Sequence, residues 1–218
     1  MRRRDSSTSK NRRAIASVIL LLGTGGIATL GTDAHEVPST DVVRTTATYA
    51  IPRVNLVDMH GSDVQLDRLL AENKPAIVEF FFTSCTSICG LQSLGLSDAQ
   101  AGLAATGIDC VLLSISIDPE FDTPERMLEY AANFEPGPNW HLLTGRQRDI
   151  EQVMSAFDAR YPGNNKMLHQ PLTYIRPSPD RPWHRIEGLL GGNDLVAEFT
   201  DVLSQRASAI PVRAGYPR

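Results

Sequence analysis

The feature that most constrains this chain is a pair of short apolar runs, each followed by a stretch with helical spacing. Ala76-Ile77-Val78-Glu79-Phe80-Phe81-Phe82, set off by Lys74-Pro75, is rich in β-branched and aromatic residues and reads as a buried strand. Asp109-Cys110-Val111-Leu112-Leu113-Ser114-Ile115-Ser116-Ile117 reads as a second one. Between them Leu91, Leu94, Leu96, Ala99 and Leu103 recur at a spacing closer to helical than to alternating, and Gly107 closes that helix. Thr123-Pro124-Glu125 opens the next, with Thr as N-cap, Pro at the first helical position and an acid in the first turn. It runs through Met127, Leu128, Tyr130 and Ala131 to near Phe134, before the Pro136-Gly137-Pro138 breaker. A helix over Arg148 to Phe157, a polar loop over 158–166, a strand Leu172 to Ile175 and a last helix Asp194 to Gln205 follow. Upstream, Leu56 to Gly61 reads as the strand and turn of an added N-terminal hairpin. Alternation of this kind predicts an α/β fold whose central sheet is mixed, mainly parallel and covered on both faces by helices.

The front of the chain is an address. Arg2, Arg3, Arg4, Lys10, Arg12 and Arg13 face only Asp5, and Ala14 to Leu30 then runs without a charge. A basic flank before an apolar stretch directs export, as a cleaved signal or as a retained anchor over residues 14–30. Either outcome places the body of the chain on the periplasmic or equivalent non-cytoplasmic side of a membrane. Residues 35–50, rich in Thr, Ser and Val, are expected to be a tether or irregular lead-in. The whole chain of 218 residues carries a net charge of -4, and the body beyond this basic segment is more acidic still, which argues against a nucleic-acid partner. Three cysteines are too few for a disulfide scaffold, and no period of repeat length recurs.

Two of those cysteines carry the chemistry. Cys85 and Cys89 lie in Thr83-Ser84-Cys85-Thr86-Ser87-Ile88-Cys89, directly after the first core strand and at the start of a helix. Positions i and i+4 share a helix face, so both sulfurs can meet one partner. A helix N-terminus offers unpaired N–H groups and a positive dipole end, which favour thiolate, the form that binds soft metals and attacks disulfides. The bland alternatives are two buried thiols packing as small hydrophobes, or a structural disulfide. Among the histidines, His169 stands out because Lys166-Met167-Leu168-His169-Gln170-Pro171 immediately precedes a core strand. A parallel sheet is expected to set that strand beside the one delivering Cys85. His35, His60, His141 and His184 read as structural or surface residues, and Cys110 as an inert buried thiol.

The run Val78 to Cys89 resembles the Sco/SenC copper-chaperone family, whose hallmark is Cys-x3-Cys after an apolar strand. Three more segments agree in order: Ser114 to Glu125, similar to the family's strand followed by Asp-Pro-x-x-Asp-Thr-Pro; Trp140-His141-Leu142-Leu143-Thr144-Gly145; and His169 where the family has its histidine ligand. The resemblance covers roughly residues 50–205. It implies a thioredoxin-like domain over 51–206, after a signal or anchor in 1–34 and before a tail in 207–218. It also implies one copper ion, Cu(I) or Cu(II), held by Cys85, Cys89 and His169. The implied partner is a copper-receiving protein, a subunit of respiratory cytochrome oxidase, and the implied role is delivery of copper or reduction of that centre's cysteines, without turnover as an enzyme. Two thiolates suit Cu(I) and an added imidazole accommodates Cu(II). Asp118 and Asp122 are assigned to a strand-end turn and helix entry rather than to metal.

The chain departs from the family pattern at Gly90, where Pro is common after the second cysteine, and at Leu168 and Gln170, where Asp and Ser are common around the histidine. Such neighbours orient a metal-bound imidazole, so the departures bear on affinity and oxidation state. Two other readings stay open. Cys85 and Cys89 can cycle as a thiol-disulfide oxidoreductase with His169 dispensable, or form a static bridge in an exported binding domain. Peroxide reduction and Cys-His hydrolysis are less attractive, because no basic residue and no orienting third group stand near the cysteines in sequence.

Overall fold

The structure, a computed structural model, describes residues 42–163 and 165–205. In chain order the elements are β1 (Val43–Ala47), β2 (Asn55–Asp58), β3 (Asp63–Gln65), α1 (Leu66–Ala71), β4 (Ala76–Phe81), α2 (Ile88–Ala105), β5 (Val111–Ser116), α3 (Pro124–Ala131), β6 (Trp140–Thr144), α4 (Gln147–Ala156), a 3-10 turn (Lys166–Leu168), β7 (Leu172–Arg176), β8 (Trp183–Glu187) and α5 (Gly192–Ser204). The strands form one sheet in the order β1-β8-β7-β4-β5-β6-β2-β3. The expected basic flank, apolar segment and C-terminal tail lie outside the described residues. Among the described residues no helix is long and apolar enough to cross a membrane.

The apolar runs become β4 and β5, every residue of which is buried. They pair in parallel, as do β5 and β6. Parallel pairing, expected to predominate, is confined to these three strands: β4 pairs antiparallel with β7, β7 with β8, β8 with β1, β2 with β3 and β2 with β6. The links carrying α2 and α3 are crossovers that return the chain to the same end of the sheet, whereas the link carrying α4 delivers β7 from the opposite end, beside β4. The expected N-terminal hairpin is β2–β3, docked on the β6 edge.

The expected lead-in over 35–50 is partly ordered structure. Val43-Arg44-Thr45-Thr46-Ala47 is a full edge strand on β8, from Val43 opposite Glu187 to Ala47 opposite Trp183. Arg44 Nε also donates to Glu198 of α5 at 2.8 Å. Its β-branched residues fit a strand once β8 offers an open edge. β8 itself, hidden in sequence among Pro177, Pro179 and Pro182, is what makes that edge.

Because side chains alternate along β4, Phe80 and Phe81 face opposite sides. Phe80 packs on Phe157, at the end of α4, and on Tyr174, with ring centroids 5.8 and 5.9 Å apart. Phe81 packs on Tyr130 of α3 at 5.1 Å. On the Phe81 side α2 and α5 approach closely. A Cβ built on Gly95 would lie 2.3 Å from the Leu190 carbonyl oxygen, and one on Gly102 would lie 2.7 Å from Val196 Cγ2. Glycine at these positions lets α2 lie against α5 and the segment that leads into it.

Candidate metal centre

The antiparallel pairing of β4 with β7 brings the candidate residues together. Glu79 stands opposite Thr173, so the first residues of β7 lie beside the last residues of β4. His169, just ahead of β7, therefore reaches the segment just after β4, where the cysteines lie. The parallel neighbour expected from sequence would have left a residue preceding its strand at the other end of the sheet, away from Cys85.

Helix α2 starts at Ile88 with Ser87 as N-cap, and the Ser87 hydroxyl does not cap it. The Cys89 amide donates instead to Cys85 Sγ at 3.5 Å, with the Ser87 hydroxyl 3.6 Å from the same sulfur. Cys85 thus sits against the positive end of the helix. Burial opposes its ionisation, but the Cys89 thiol, the Ser87 and Cys89 backbone and the Ser87 hydroxyl together hold its pKa below that of an ordinary thiol. Cys89 is fully buried, and burial first, then its bond to Cys85 and the charges of Cys85 and Glu79, push its pKa up. Both cysteines are free thiols. The pair is therefore asymmetric: Cys85, half-buried, ionises first, while Cys89 keeps its proton.

His169 is buried at 8% exposure, with its Nε2 3.6 Å from Cys89 Sγ. Its ring stands edge-on to Phe82, centroids 5.4 Å apart. Nδ1 lies 3.2 Å from the Lys166 carbonyl oxygen. A carbonyl only accepts, so Nδ1 carries the proton and, in neutral imidazole, the lone pair of Nε2 is left toward Cys89. Burial lowers the pKa of His169 against the opposing pull of the Lys166 and Phe80 backbone, which favours that neutral form. The structure thus joins Cys89 to His169 and Cys89 to Cys85. Among the described residues no three His, Cys, Asp or Glu side chains are gathered into a ready-made cage.

Asp122 shapes the approach to the thiols. Fully buried, it accepts from the Thr83 amide at 3.1 Å, the Thr83 hydroxyl at 2.5 Å and the Ser116 hydroxyl at 2.5 Å. It therefore fixes the backbone two residues ahead of Cys85, a stronger role than the helix entry read from sequence. Thr123 does cap α3, accepting from the Arg126 amide at 3.4 Å.

Glu79 was absorbed into an apolar run in sequence, yet it is a buried carboxyl beneath α2. Its Oε1 accepts from the Ser114 hydroxyl at 2.6 Å and from Ser93 at 3.4 Å, while Oε2 has no partner. Burial, opposed by those two hydroxyls, raises its pKa to about 8. A lone acid inside an otherwise apolar strand was the signal that could have found it.

The remaining candidates fall where the sequence put them. His60 is exposed in a turn, while His141 and His184 are half-buried on β6 and β8. His35 lies outside the described residues. Cys110, just ahead of β5, is buried, and burial raises its pKa.

The SCO1/SenC family model matches residues 44–202. A SCO1 protein homolog of Bacillus subtilis is 32% identical over 133 residues, which cover 58% of this chain and 68% of that one. Among solved structures, BsSco, described as a member of the Sco family of cytochrome c oxidase assembly proteins with a disulfide switch, shares 26% identity at a TM-score of 0.60. That likeness covers 74% of this chain and 98% of BsSco. Arabidopsis thaliana ScoI, solved with copper bound, shares 25% identity at a TM-score of 0.60, covering 72% of this chain and 99% of ScoI. These neighbours confirm the thioredoxin-like arrangement, and a family match spanning all eight strands and five helices settles the kinship: this chain belongs to the SCO1/SenC family.

Proposed function

We propose that this chain is an exported copper carrier that binds one copper ion through Cys85, Cys89 and His169. Its partner is a copper-receiving protein, a cytochrome oxidase subunit or another exported copper protein. The observation that carries the reading is the 3.6 Å approach of His169 Nε2, lone pair outward, to Cys89 Sγ. Thiolate and imidazole are the donors that soft and borderline first-row ions take, copper among them. At the observed separation Cys89 and His169 would be able to hold one small ion together, with Cys85 beside them. Cys85, half-exposed on the rim and the more easily ionised thiol, supplies the third ligand and the route by which the ion enters and leaves. Two thiolates favour Cu(I), while the imidazole makes the site acceptable to Cu(II).

The difference between the thiols favours a second role in the same site. The Cys85 thiolate can attack a partner disulfide, releasing one partner thiolate and forming a mixed disulfide. Cys89 then gives up its proton and displaces the other, leaving a Cys85–Cys89 disulfide and two reduced partner thiols. Such a step prepares a copper centre's cysteines for metal, and it consumes one dithiol of this chain each time.

The deciding experiment is an anaerobic titration of the reduced full chain with Cu(I) against a competing chelator, alongside Cys85→Ser, Cys89→Ser and His169→Ala. One tightly bound ion, lost in both cysteine variants, is the expected result, with His169→Ala altering mainly the Cu(II) spectrum. Failure of the parent to hold Cu(I) against the chelator would sink the carrier reading and leave disulfide exchange.

A further inference from the structure

A single loop, running from Ile117 to Thr123 between β5 and α3, holds both halves of the site. Its Asp122 fixes Thr83, ahead of Cys85, as described above. Four residues earlier, Asp118 is ion-paired with the Lys166 ammonium group. Lys166 opens the 3-10 turn whose C-cap is His169, and its carbonyl oxygen receives both the His169 amide, at 3.2 Å, and the His169 ring Nδ1, at 3.2 Å. Lys166 therefore grips the histidine through its backbone and Asp118 through its side chain. Its ammonium also stands 5.1 Å from the Phe82 ring centroid and 5.7 Å from that of Phe121.

Among the described residues, the other hydrogen bonds of Lys166–Leu168 stay within the turn. Asn165 accepts from the Met167 amide within the turn itself, and Met167 and Leu168 are 48% and 54% exposed. Lys166 and Asp118 line one open groove, together with Glu120, Glu151 and Arg160. The Asp118 side chain is only 17% exposed and that of Lys166 34%, so their attraction is less screened than that of a fully exposed pair.

We infer that the Asp118–Lys166 ion pair is a positioning latch that holds the His169 imidazole against Cys89 and so sets how the site accepts Cu(II). The inference rests on the copper reading and deepens it. Thiolates alone suit Cu(I), whereas Cu(II) depends on the imidazole, so opening the latch weakens the oxidised form selectively. The role lies outside the thiols: both residues act through the orientation of His169, as groups behind a metal ligand do. Leu168 stands where the family commonly has Asp, and the carboxylate that steadies the histidine here reaches it from another loop, through Lys166.

The test uses the full chain with Lys166→Met, which keeps the apolar stem, Asp118→Asn, and Lys166→Arg as the conservative variant. Cu(II) affinity and nitrogen coupling are read by titration and electron paramagnetic resonance, Cu(I) affinity by chelator competition, and the His169 imidazole by NMR of the metal-free protein. Lys166→Met and Asp118→Asn are expected to lose roughly tenfold in Cu(II) affinity with altered nitrogen coupling, to keep parental Cu(I) affinity, and to shift the His169 signals. Lys166→Arg is expected to keep all three. Parental Cu(II) behaviour and unmoved imidazole signals in both charge-removing variants would overturn the latch, as would equal loss of both ions. If the parent binds neither ion, the carrier reading fails by itself, and the metal-free imidazole signals then decide the latch: moved in the two variants but not in Lys166→Arg, it stands; unmoved, it falls.

Discussion

Cys85 and Cys110 flank the same two parallel strands at opposite ends. Cys85 follows β4 at its C-terminal end, where helix α2 begins, and Cys110 precedes β5 at its N-terminal end, shortly after α2 has finished. At the first end a thiol receives hydrogen bonds from helix-start groups and its pKa falls. At the second, burial raises the thiol pKa, and the nearby Asp109 raises it further. The residue type is the same; what differs is which end of the strand it occupies. In a strand-helix unit the N-termini of helices gather at the C-terminal ends of parallel strands, so unpaired donors and ligand-binding chemistry collect there. His169 joins that end only because β7 runs antiparallel to β4.

The largest expected effect comes from the buried acid between the two ends. Glu79 has a folded-state pKa raised to about 8, so the unfolded chain ionises first as pH climbs. Its cost to stability is absent at acid pH, grows from the unfolded carboxylate pKa upward and levels off once the folded pKa is passed. Glu79→Gln keeps an oxygen for Ser114 and removes the charge. Its stability relative to the parent should rise between pH 4.5 and 8.5 by up to on the order of 4 kcal/mol, measured by urea unfolding at several pH values. A constant difference across that range would show that Glu79 does not titrate as its burial demands. Because the Glu79 charge also raises the Cys89 pKa, the variant's Cys89 should ionise at lower pH while Cys110, beside Asp109, is unmoved.

Next in size is the contrast in thiol reactivity. Timed alkylation of the native, reduced chain with iodoacetamide, read by peptide mass spectrometry, should label Cys85 roughly a hundredfold faster than Cys110. Cys110 should reach the Cys85 rate only in denaturant. Equal native rates would remove the distinction between the two ends.

Much of this contrast was legible in the sequence because local signals carry it. The apolar runs announced β4 and β5, Cys-x3-Cys at a strand-to-helix junction announced the thiol end, and Thr123-Pro124 announced α3. What stayed hidden depends on pairing between distant segments. β1 is an edge strand that pairs with β8, and both have weak local patterns, so Val43–Ala47 read as a tether. His169 was singled out for its place before a strand, but the direction of that strand, which decides the end of the sheet it reaches, is a property of the whole topology. Asp118 and Asp122 were visible as a turn motif. Their partners Lys166 and Thr83 lie 48 and 39 residues away, beyond the reach of any periodicity.

The smallest effects compare the two ends of α2 itself, through its glycines. Gly90 lies in the first turn, next to Cys89, and a Cβ built on it meets nothing within 4 Å. Gly107 follows the last turn, near Cys110, with equally open space but a φ of +68°. Space alone would make alanine harmless at both positions; backbone conformation separates them. At Gly90 alanine should stabilise the chain by up to about 1 kcal/mol, because it removes backbone freedom from the unfolded state at an ordinary helical position. At Gly107 alanine should cost about 1 kcal/mol, because left-handed backbone is unfavourable for a residue with a Cβ. Thermal unfolding of the two variants reads both signs directly. A gain at Gly90 accompanied by slower disulfide formation between Cys85 and Cys89 would show that glycine there keeps the thiol-bearing turn loose enough for the sulfurs to meet. A gain without that slowing would mean the turn already brings them together, leaving the glycine no part in the redox behaviour of the site.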